Sequence, residues 1–441
     1  MTRELLQRPL CTLLRLFFRR IDVAGREQIP SSGPVIFILN HPNALIDPLV
    51  LLCRAGRPVS FLAKEPLFRM PVIGSIVRAM DSIPVYRRMD QADTSQNAAT
   101  FLAARKLLSR GGSLALFPEG TSHNDSRLKP FRTGAARIAL GSQVSGLQIV
   151  PAGLFYTEKS RFRSQVLLCF GQPVDVVPAQ PGPDGEPSPD AVQRLTARLE
   201  QALGALTLQA DHHEALDLAE AAERILHSAE EGPRELADRV ELRRRLLDGY
   251  ARLKLSAPDR LAYMVGRVEQ YQAALDAARL TPERLPQTGY RAGAVLRFTA
   301  ATVAGLLVLL PLGLAGAVIH APAWLAVDLI GRRYQRTNLD LVSTVKVLAG
   351  LVFYPLTWVV LAWACGSRWG IGGALAALVL APLSALIALR FVERSRRLVG
   401  GARGLALALT GRRRFLRLLA ERNAIRDDLL ALARELDAPK A

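Results

Sequence analysis

Short runs rich in β-branched and aromatic residues alternate with stretches of helical periodicity over residues 21–175. PVIFIL (34–39), PVSFLAK (58–64), SLALF (113–117), LQIVPAGLF (147–155) and SQVLLCF (164–170) read as strands. Between them, PLVLLCRAG from Pro48, NAATFLAARKLLSRG from Asn97 and TGAARIALGSQ from Thr133 read as helices, with Gly111, Gly112 and Gly146 where helices stop. This alternation predicts an α/β domain over 21–177.

The pattern then changes twice. PAQPGPDGEPSPD marks a linker at 178–188, and Ser188-Pro189-Asp190 opens a polar, alanine-rich helical region reaching residue 285. Beyond it lies a membrane region at 294–390, in which no Asp, Glu, Lys or Arg occurs in the runs 298–327, 347–367 and 369–389. Each run is long enough to cross a bilayer, which takes about 20 residues. The last two are separated only around Gly366, Ser367 and Arg368, which predicts a helical hairpin. Arg332, Arg333, Arg336 and Lys346 precede that hairpin; Arg390, Arg394, Arg396 and Arg397 follow it and open a basic tail at 391–441. Both flanks are therefore expected in the cytoplasm. An N-terminal domain on the same side requires the first run to return, and Pro311, Gly313 and Pro322 would break it into two half-length legs. At the other end, Leu5, Leu6, Leu10, Leu13, Leu14, Phe17 and Phe18 interleave with arginines, as in an interfacial amphipathic helix over 1–20.

Charge sharpens the membrane reading. Fifty per cent of residues are hydrophobic, and Lys and Arg outnumber Asp and Glu by 57 to 39, for a net charge of +18. Such a balance implies an anionic neighbour, either nucleic acid or a lipid surface. Aromatics are only 6%, with no aromatic-interleaved basic motif, and much of the excess charge flanks apolar runs. Membrane lipids are thus the expected partner and nucleic acid is not. Cys11, Cys53, Cys169 and Cys365 have no metal-ligand spacing and read as four buried thiols in a reducing compartment. His212, His213 and His227 lack a third ligand at sensible spacing, so no metal is expected.

NHPNALIDP (40–48) holds the first candidate chemistry. His41 follows the end of a predicted buried strand, where ligand chemistry gathers in α/β domains. A neutral imidazole there can take a proton from an alcohol, and a carboxylate on its other nitrogen stabilises the imidazolium that forms. Asp47 is that candidate carboxylate, although Asp47-Pro48-Leu49 also reads as a helix N-cap with proline at the first helical position. Three further motifs follow. IPVYRR places Arg87 and Arg88 after a short strand, and FPEGTSH places Glu119, Gly120, Thr121 and Ser122 in a turn. LKPFRTGAARIAL brings Lys129 and Arg132 to a helix start. Arg87 and Lys129 would offer fork and point-charge recognition of a phosphate, with turn amides as additional donors.

NHPNALIDP, IPVYRR, FPEGTS and IVPAG, in this order, resemble the four blocks of the glycerolipid acyltransferase family, over residues 20–175. The resemblance implies an α/β acyltransferase domain, here followed by a helical region and C-terminal transmembrane helices. It assigns His41 as general base and Asp47 as its orienting carboxylate. Arg87 falls on the acceptor-phosphate arginine, Glu119 and Gly120 on residues shaping the acceptor site, and Pro151 on the fourth-block proline, structural or near the acyl channel. No bound cofactor is implied; the co-substrate would be acyl-CoA or acyl carrier protein. One departure matters: five residues, not four, separate His41 from Asp47. At about 100° per helical residue the pair meets only if part of 42–46 is a turn. This spacing, with SHND after EGT, resembles the fungal glycerol 3-phosphate/dihydroxyacetone phosphate acyltransferases.

The expected reaction is acyl transfer from a thioester to a hydroxyl of glycerol 3-phosphate or dihydroxyacetone phosphate, in an integral protein of a bacterial-type inner membrane with domain and tail cytoplasmic. A 1-acyl-glycerol 3-phosphate or other lysophospholipid acceptor is the alternative within the class. A lipid-binding or scaffold protein with a lapsed site is the alternative outside it.

Overall fold

The computed structural model describes residues 3–71, 73–179, 182, 185–228, 235–282, 292–335 and 341–437; Arg336, parts of the linker and the end of the helical region lie outside these. The chain divides into two compact units, residues 1–211 with 334–344, and residues 212–333 with 345–441.

The first unit is a mixed sheet covered by helices on both faces. Its strands are β1 (Arg20–Ala24), β2 (Val35–Leu39), β3 (Ser60–Lys64), β4 (Ile83–Val85), β5 (Ser113–Leu116), β6 (Gln148–Tyr156), β7 (Gln165–Phe170) and β8 (Val174–Asp175). They order as β1-β7-β6-β2-β5-β3-β4, with β8 also on β6. All neighbours run parallel except β6 with β7 and β8. β2 is central and every one of its residues is fully buried, as expected of a parallel strand covered on both faces. The five expected strands and the short strand expected in IPVY (β4) are present; β1 and β8 are additional.

The helices of this unit are α1 (Arg3–Phe17), α2 (Ile46–Arg54), α3 (Pro66–Arg69), α4 (Ile73–Ala79), α5 (Asn97–Ser109), α6 (Gly134–Leu140) and α7 (Pro189–Gly204). α7 begins as its sequence dictates: the Ser188 Oγ accepts from the Ala191 amide, an N-cap ahead of proline at the first turn. Counted by pattern with the helical region, α7 instead buries Val192, Leu195, Leu199 and Leu203 in one core with Ile36, Leu114, Ile138 and Ile149. At the N-terminus, α1 packs on α2, burying Leu14 and Phe17 while Leu5 and Leu16 stay exposed. Cys11 of α1 and Cys53 of α2 form a disulfide. This corrects the expectation of four separate thiols: residues 42 apart in sequence meet because α1 and α2 lie side by side.

The second unit contains α8 (His213–Ser228), α9 (Leu236–Ser256), α10 (Pro258–Ala277), α11 (Ala292–Gln335), α12 (Val342–Thr410) and α13 (Arg412–Asp437), the last residues of α11 and the first of α12 falling in the first unit. Ala221 and Ile225 of α8, Val268, Tyr271 and Leu275 of α10, and Phe415, Leu418 and Ile425 of α13 form one apolar cluster. The fully buried Glu223 carboxylate of α8 is matched by Arg239 and Arg243 of α9. By length and composition, Leu309–Gln335 and Val342–Ser395 can cross a membrane. The expected hairpin is present, its break falling at Trp369 and Gly370, just past the predicted turn. The chain reverses there closely enough that a side-chain carbon on Gly366 would lie 3.2 Å from the Ala374 Cβ. The expected break at 298–327 is absent, since α11 is unbroken through Pro311 and Pro322; a return of the run to its starting side then takes a bend within one helix. In apolar surroundings, ending a helix exposes more unpaired backbone than the one hydrogen bond a proline removes.

Candidate active site

The site gathers at the carboxyl ends of β2, β5 and β6. The Asn40 side chain carries the β2 pairing one residue further, donating to the Leu154 carbonyl (3.0 Å) and accepting from its amide (2.7 Å). His41 therefore leaves the sheet from a fixed point, and its ring stacks on Phe117, the residue after β5, at 3.9 Å between centroids.

The turn demanded by the five-residue spacing is present. The Ile46 amide bonds the Asn43 carbonyl, and Ala44 has φ of +35°, a left-handed conformation costly for a residue with a Cβ. α2 starts at Ile46, so Asp47 sits in its first turn and is not the N-cap. The Asp47 side chain is fully buried. One oxygen, Oδ2, receives His41 Nδ1 at 2.9 Å and the Asn43 amide at 2.7 Å. The other, Oδ1, receives the Tyr156 hydroxyl at 2.5 Å. With Nδ1–H donating to the carboxylate, His41 Nε2 is left as the acceptor.

Glu119 is nearly as buried, at 3% exposure, but its carboxylate turns toward the protein. It accepts from the His41 amide (3.3 Å), the Lys129 amide (2.8 Å) and the His123 ring Nε2. Because His123 Nδ1 accepts from the Asp125 amide, its Nε2 carries the proton given to Glu119. The His123 amide bonds the His41 carbonyl at 3.1 Å, closing the turn onto β2. Gly120, with φ of +75°, completes the turn in a conformation suited to glycine.

Arg87 follows β4 and forms a two-pronged pair with Asp90 (2.6 and 2.9 Å), while Nη1 donates to the Gly120 carbonyl at 2.7 Å. That bond from Arg87 holds the Asp90 carboxyl below its ordinary pKa. On the other side of Gly120 lies the exposed Arg132 side chain; an added Cβ on the glycine would meet its Nε at 2.8 Å. Lys129 is half-exposed, with Nζ 3.4 Å from Asp125. Thr121 and Ser122 lie in the same turn, partly exposed.

Of the sequence-predicted residues, His41, Asp47, Arg87, Glu119, Gly120, Thr121, Ser122 and Lys129 thus converge on one edge of the sheet. Pro151 does not. It is buried inside β6, in register with Ile38, where the neighbour changes from β8 (to Ile149) to β7 (from Ala152). The missing proline N–H is tolerated at that gap. Pattern reasoning missed Tyr156, Asn40 and Phe117; Tyr156 lies one residue past the predicted strand and outside all four motifs. Among the described residues, no three or more His, Cys, Asp or Glu side chains are grouped to hold a metal ion.

A histidine backed by a buried carboxylate thus stands at the carboxyl edge of an α/β sheet, and the Arg87 guanidinium bonds the turn whose Glu119 accepts from the histidine amide. Residues 20–154 match the family model described as Acyltransferase, and residues 219–440 match the Glycerol-3-phosphate acyltransferase 2 C-terminal domain. The second match covers half the chain, and the protein belongs to the glycerol-3-phosphate acyltransferase family that these two models define. It is 23% identical over 453 residues to Glycerol-3-phosphate O-acyltransferase 1 of Saccharomyces cerevisiae, covering 79% of this chain and 59% of that protein. It is 27% identical over 286 residues to Glycerol-3-phosphate O-acyltransferase 2 of the same yeast, covering 61% and 38%. A 1-acyl-sn-glycerol-3-phosphate acyltransferase, BAT2 of Brassica napus, is 33% identical over 143 residues, covering 32% of this chain and 39% of that protein. The matched region thus spans less than two thirds of each yeast protein. Its two long apolar helices associate the chain with a membrane.

Proposed function

We propose that this protein is a membrane-bound acyltransferase that moves a fatty acyl group from acyl-CoA or acyl carrier protein to a hydroxyl of glycerol 3-phosphate or dihydroxyacetone phosphate, an early step in phosphatidic acid synthesis. The observation carrying this reading is the buried Asp47 holding His41 Nδ1 at 2.9 Å, which leaves Nε2 to act as base. His41 takes the proton of the acceptor hydroxyl as its oxygen attacks the thioester carbonyl. Collapse of the tetrahedral intermediate expels the thiolate, which takes the proton back from the imidazolium. Asp47 stabilises that imidazolium. No metal or bound prosthetic group enters this route.

Arg87 and Lys129 are the proposed phosphate anchors, Arg87 through the guanidinium N–H groups not given to Asp90 and Gly120. Glu119, Gly120, Thr121 and Ser122 shape the acceptor turn. Pro151 is assigned a structural part. The 33% identity to a 1-acyl-sn-glycerol-3-phosphate acyltransferase over the catalytic region favours a 1-acyl acceptor as the second reading. The apolar helices would anchor the protein in a bacterial-type inner membrane, with the α/β unit and basic tail cytoplasmic.

The test is an acyl-transfer assay of purified full-length protein against glycerol 3-phosphate, dihydroxyacetone phosphate and 1-acyl-glycerol 3-phosphate, with both donors. Transfer to one of these acceptors, abolished in His41→Ala while the variant remains folded and in the membrane fraction, is expected. Undiminished turnover by His41→Ala would refute the mechanism.

A further inference from the structure

The carboxylate behind the histidine is itself held, by a side chain that belongs to none of the four motifs. We infer that Tyr156 is a positioning residue for the base: its hydroxyl fixes the plane of the Asp47 carboxylate and draws charge from it, so setting how strongly His41 binds a proton. This rests on the reading of His41 as general base.

Three observations support it. The Tyr156 hydroxyl lies 2.5 Å from Asp47 Oδ1, the oxygen that does not face the imidazole. Oδ2 is already shared between His41 and the Asn43 amide, so with Tyr156 on Oδ1 both oxygens are held and the carboxylate plane is fixed about its Cβ–Cγ bond. The tyrosine is also rigid: it is buried at the end of β6, beside Phe18 with ring centroids 5.7 Å apart. β6 pairs in turn with β2, from which His41 emerges. Base and positioning group therefore hang from neighbouring strands, while α2 supplies the carboxylate between them.

Burial and the adjacent Asp47 charge push the phenol well above its usual pKa, so the hydroxyl stays a donor wherever the imidazole titrates. Among the described residues, Glu119, His123 and Lys159 are the titratable groups that bond the backbone or side chains about the pair. Glu119 and His123 bond each other, and they reach His41 through its backbone. Lys159 donates to the Pro42 carbonyl at 3.4 Å.

A hydroxyl donating to a carboxylate makes it less basic and weakens its hold on a proton at the imidazole. In Tyr156→Phe, Asp47 recovers that charge. His41 then binds its proton more tightly, and the acid limb of kcat/KM moves to higher pH. Without the hydroxyl the carboxylate and the imidazole it orients are less well aligned, and this misalignment of the base is expected to lower kcat about tenfold. KM for the acceptor should stay nearly constant, because Tyr156 does not face the acceptor turn.

A merely structural tyrosine would lower thermal stability and leave the acid limb in place. Should the phenylalanine variant misfold, 3-fluorotyrosine at position 156 keeps the shape and makes the hydroxyl a stronger donor. The acid limb should then move to lower pH. Opposite shifts in the two variants, measured on full-length protein in detergent, support the inference; an unmoved limb in a folded variant overturns it. Inactive wild-type protein, or active His41→Ala, would overturn the functional reading instead, so the two failures are distinguishable.

Discussion

Glu119 lies in the most recognisable motif of the chain, yet its carboxylate is spent on the protein itself, and this makes a sharp prediction for Glu119→Gln. In the wild type, Oε2 serves the Lys129 amide and His123 Nε2, while Oε1 serves the His41 amide, with 3% of the residue exposed. A glutamine has one acceptor oxygen for these three donors. Placed at the Oε2 position, it keeps two bonds, each reduced from a charge-assisted one worth about 1.5–3 kcal/mol to a neutral one worth about 1 kcal/mol. Its amide then faces the His41 N–H, leaving donor against donor at about 1–3 kcal/mol. The expected loss is roughly 2–7 kcal/mol, or about 4–28 °C in Tm for a unit of about 200 residues. Thermal unfolding of the full-length protein in detergent measures this, and acceptor kinetics on the same samples should show kcat and stability falling together. If Glu119→Gln melts within a degree or two of wild type and only KM for the acceptor rises, the glutamate contacts substrate and the bracing argument fails.

Two further outcomes follow from the same framework. Because the Arg87 hydrogen bond lowers the Asp90 pKa, the pair's contribution is full above the unfolded carboxylate value of about 3.9. It is lost as pH falls through the lower folded value, so acid titration of stability should be shallower in Arg87→Ala than in wild type, and equal slopes would contradict it. Since α13 shares an apolar cluster with α8 and α10, single cysteines at Leu255 and Leu416 in an otherwise cysteine-free chain should label from the same side of the membrane. One at Trp369, in the hairpin turn, should label from the other; labelling of Leu255 and Leu416 from opposite sides would exclude the shared cluster.

The central strands were legible because continuous apolar runs such as PVIFIL leave little other choice, and the motif residues were legible because their chemistry is unusual in type. β1 was not, since RIDVA is an edge strand with a partly solvated face and two charges among its five residues. Tyr156 was hidden for a different reason. A buried tyrosine at a strand end looks like any core aromatic, and only its 109-residue reach to Asp47 gives it a chemical role. The continuity of α11 was hidden because two prolines signal a helix break, whereas apolar surroundings favour carrying the helix through them. The membership of α7 depended on which core its apolar stripe would meet, which its own periodicity does not encode.

Ala44 carries a consequence for how this pair is measured. Its left-handed backbone takes up one residue of contour without lengthening the chord between the end of β2 and the first turn of α2. The separation of His41 and Asp47 is thus inherited from the placement of a strand and a helix, and the number of residues in between is a free parameter within the limits of tight turns. A segment one residue shorter can span the same gap by omitting the left-handed step. Sequence patterns that fix the count describe one way of tying this knot, whereas the geometry of the pair belongs to the posts it is tied between.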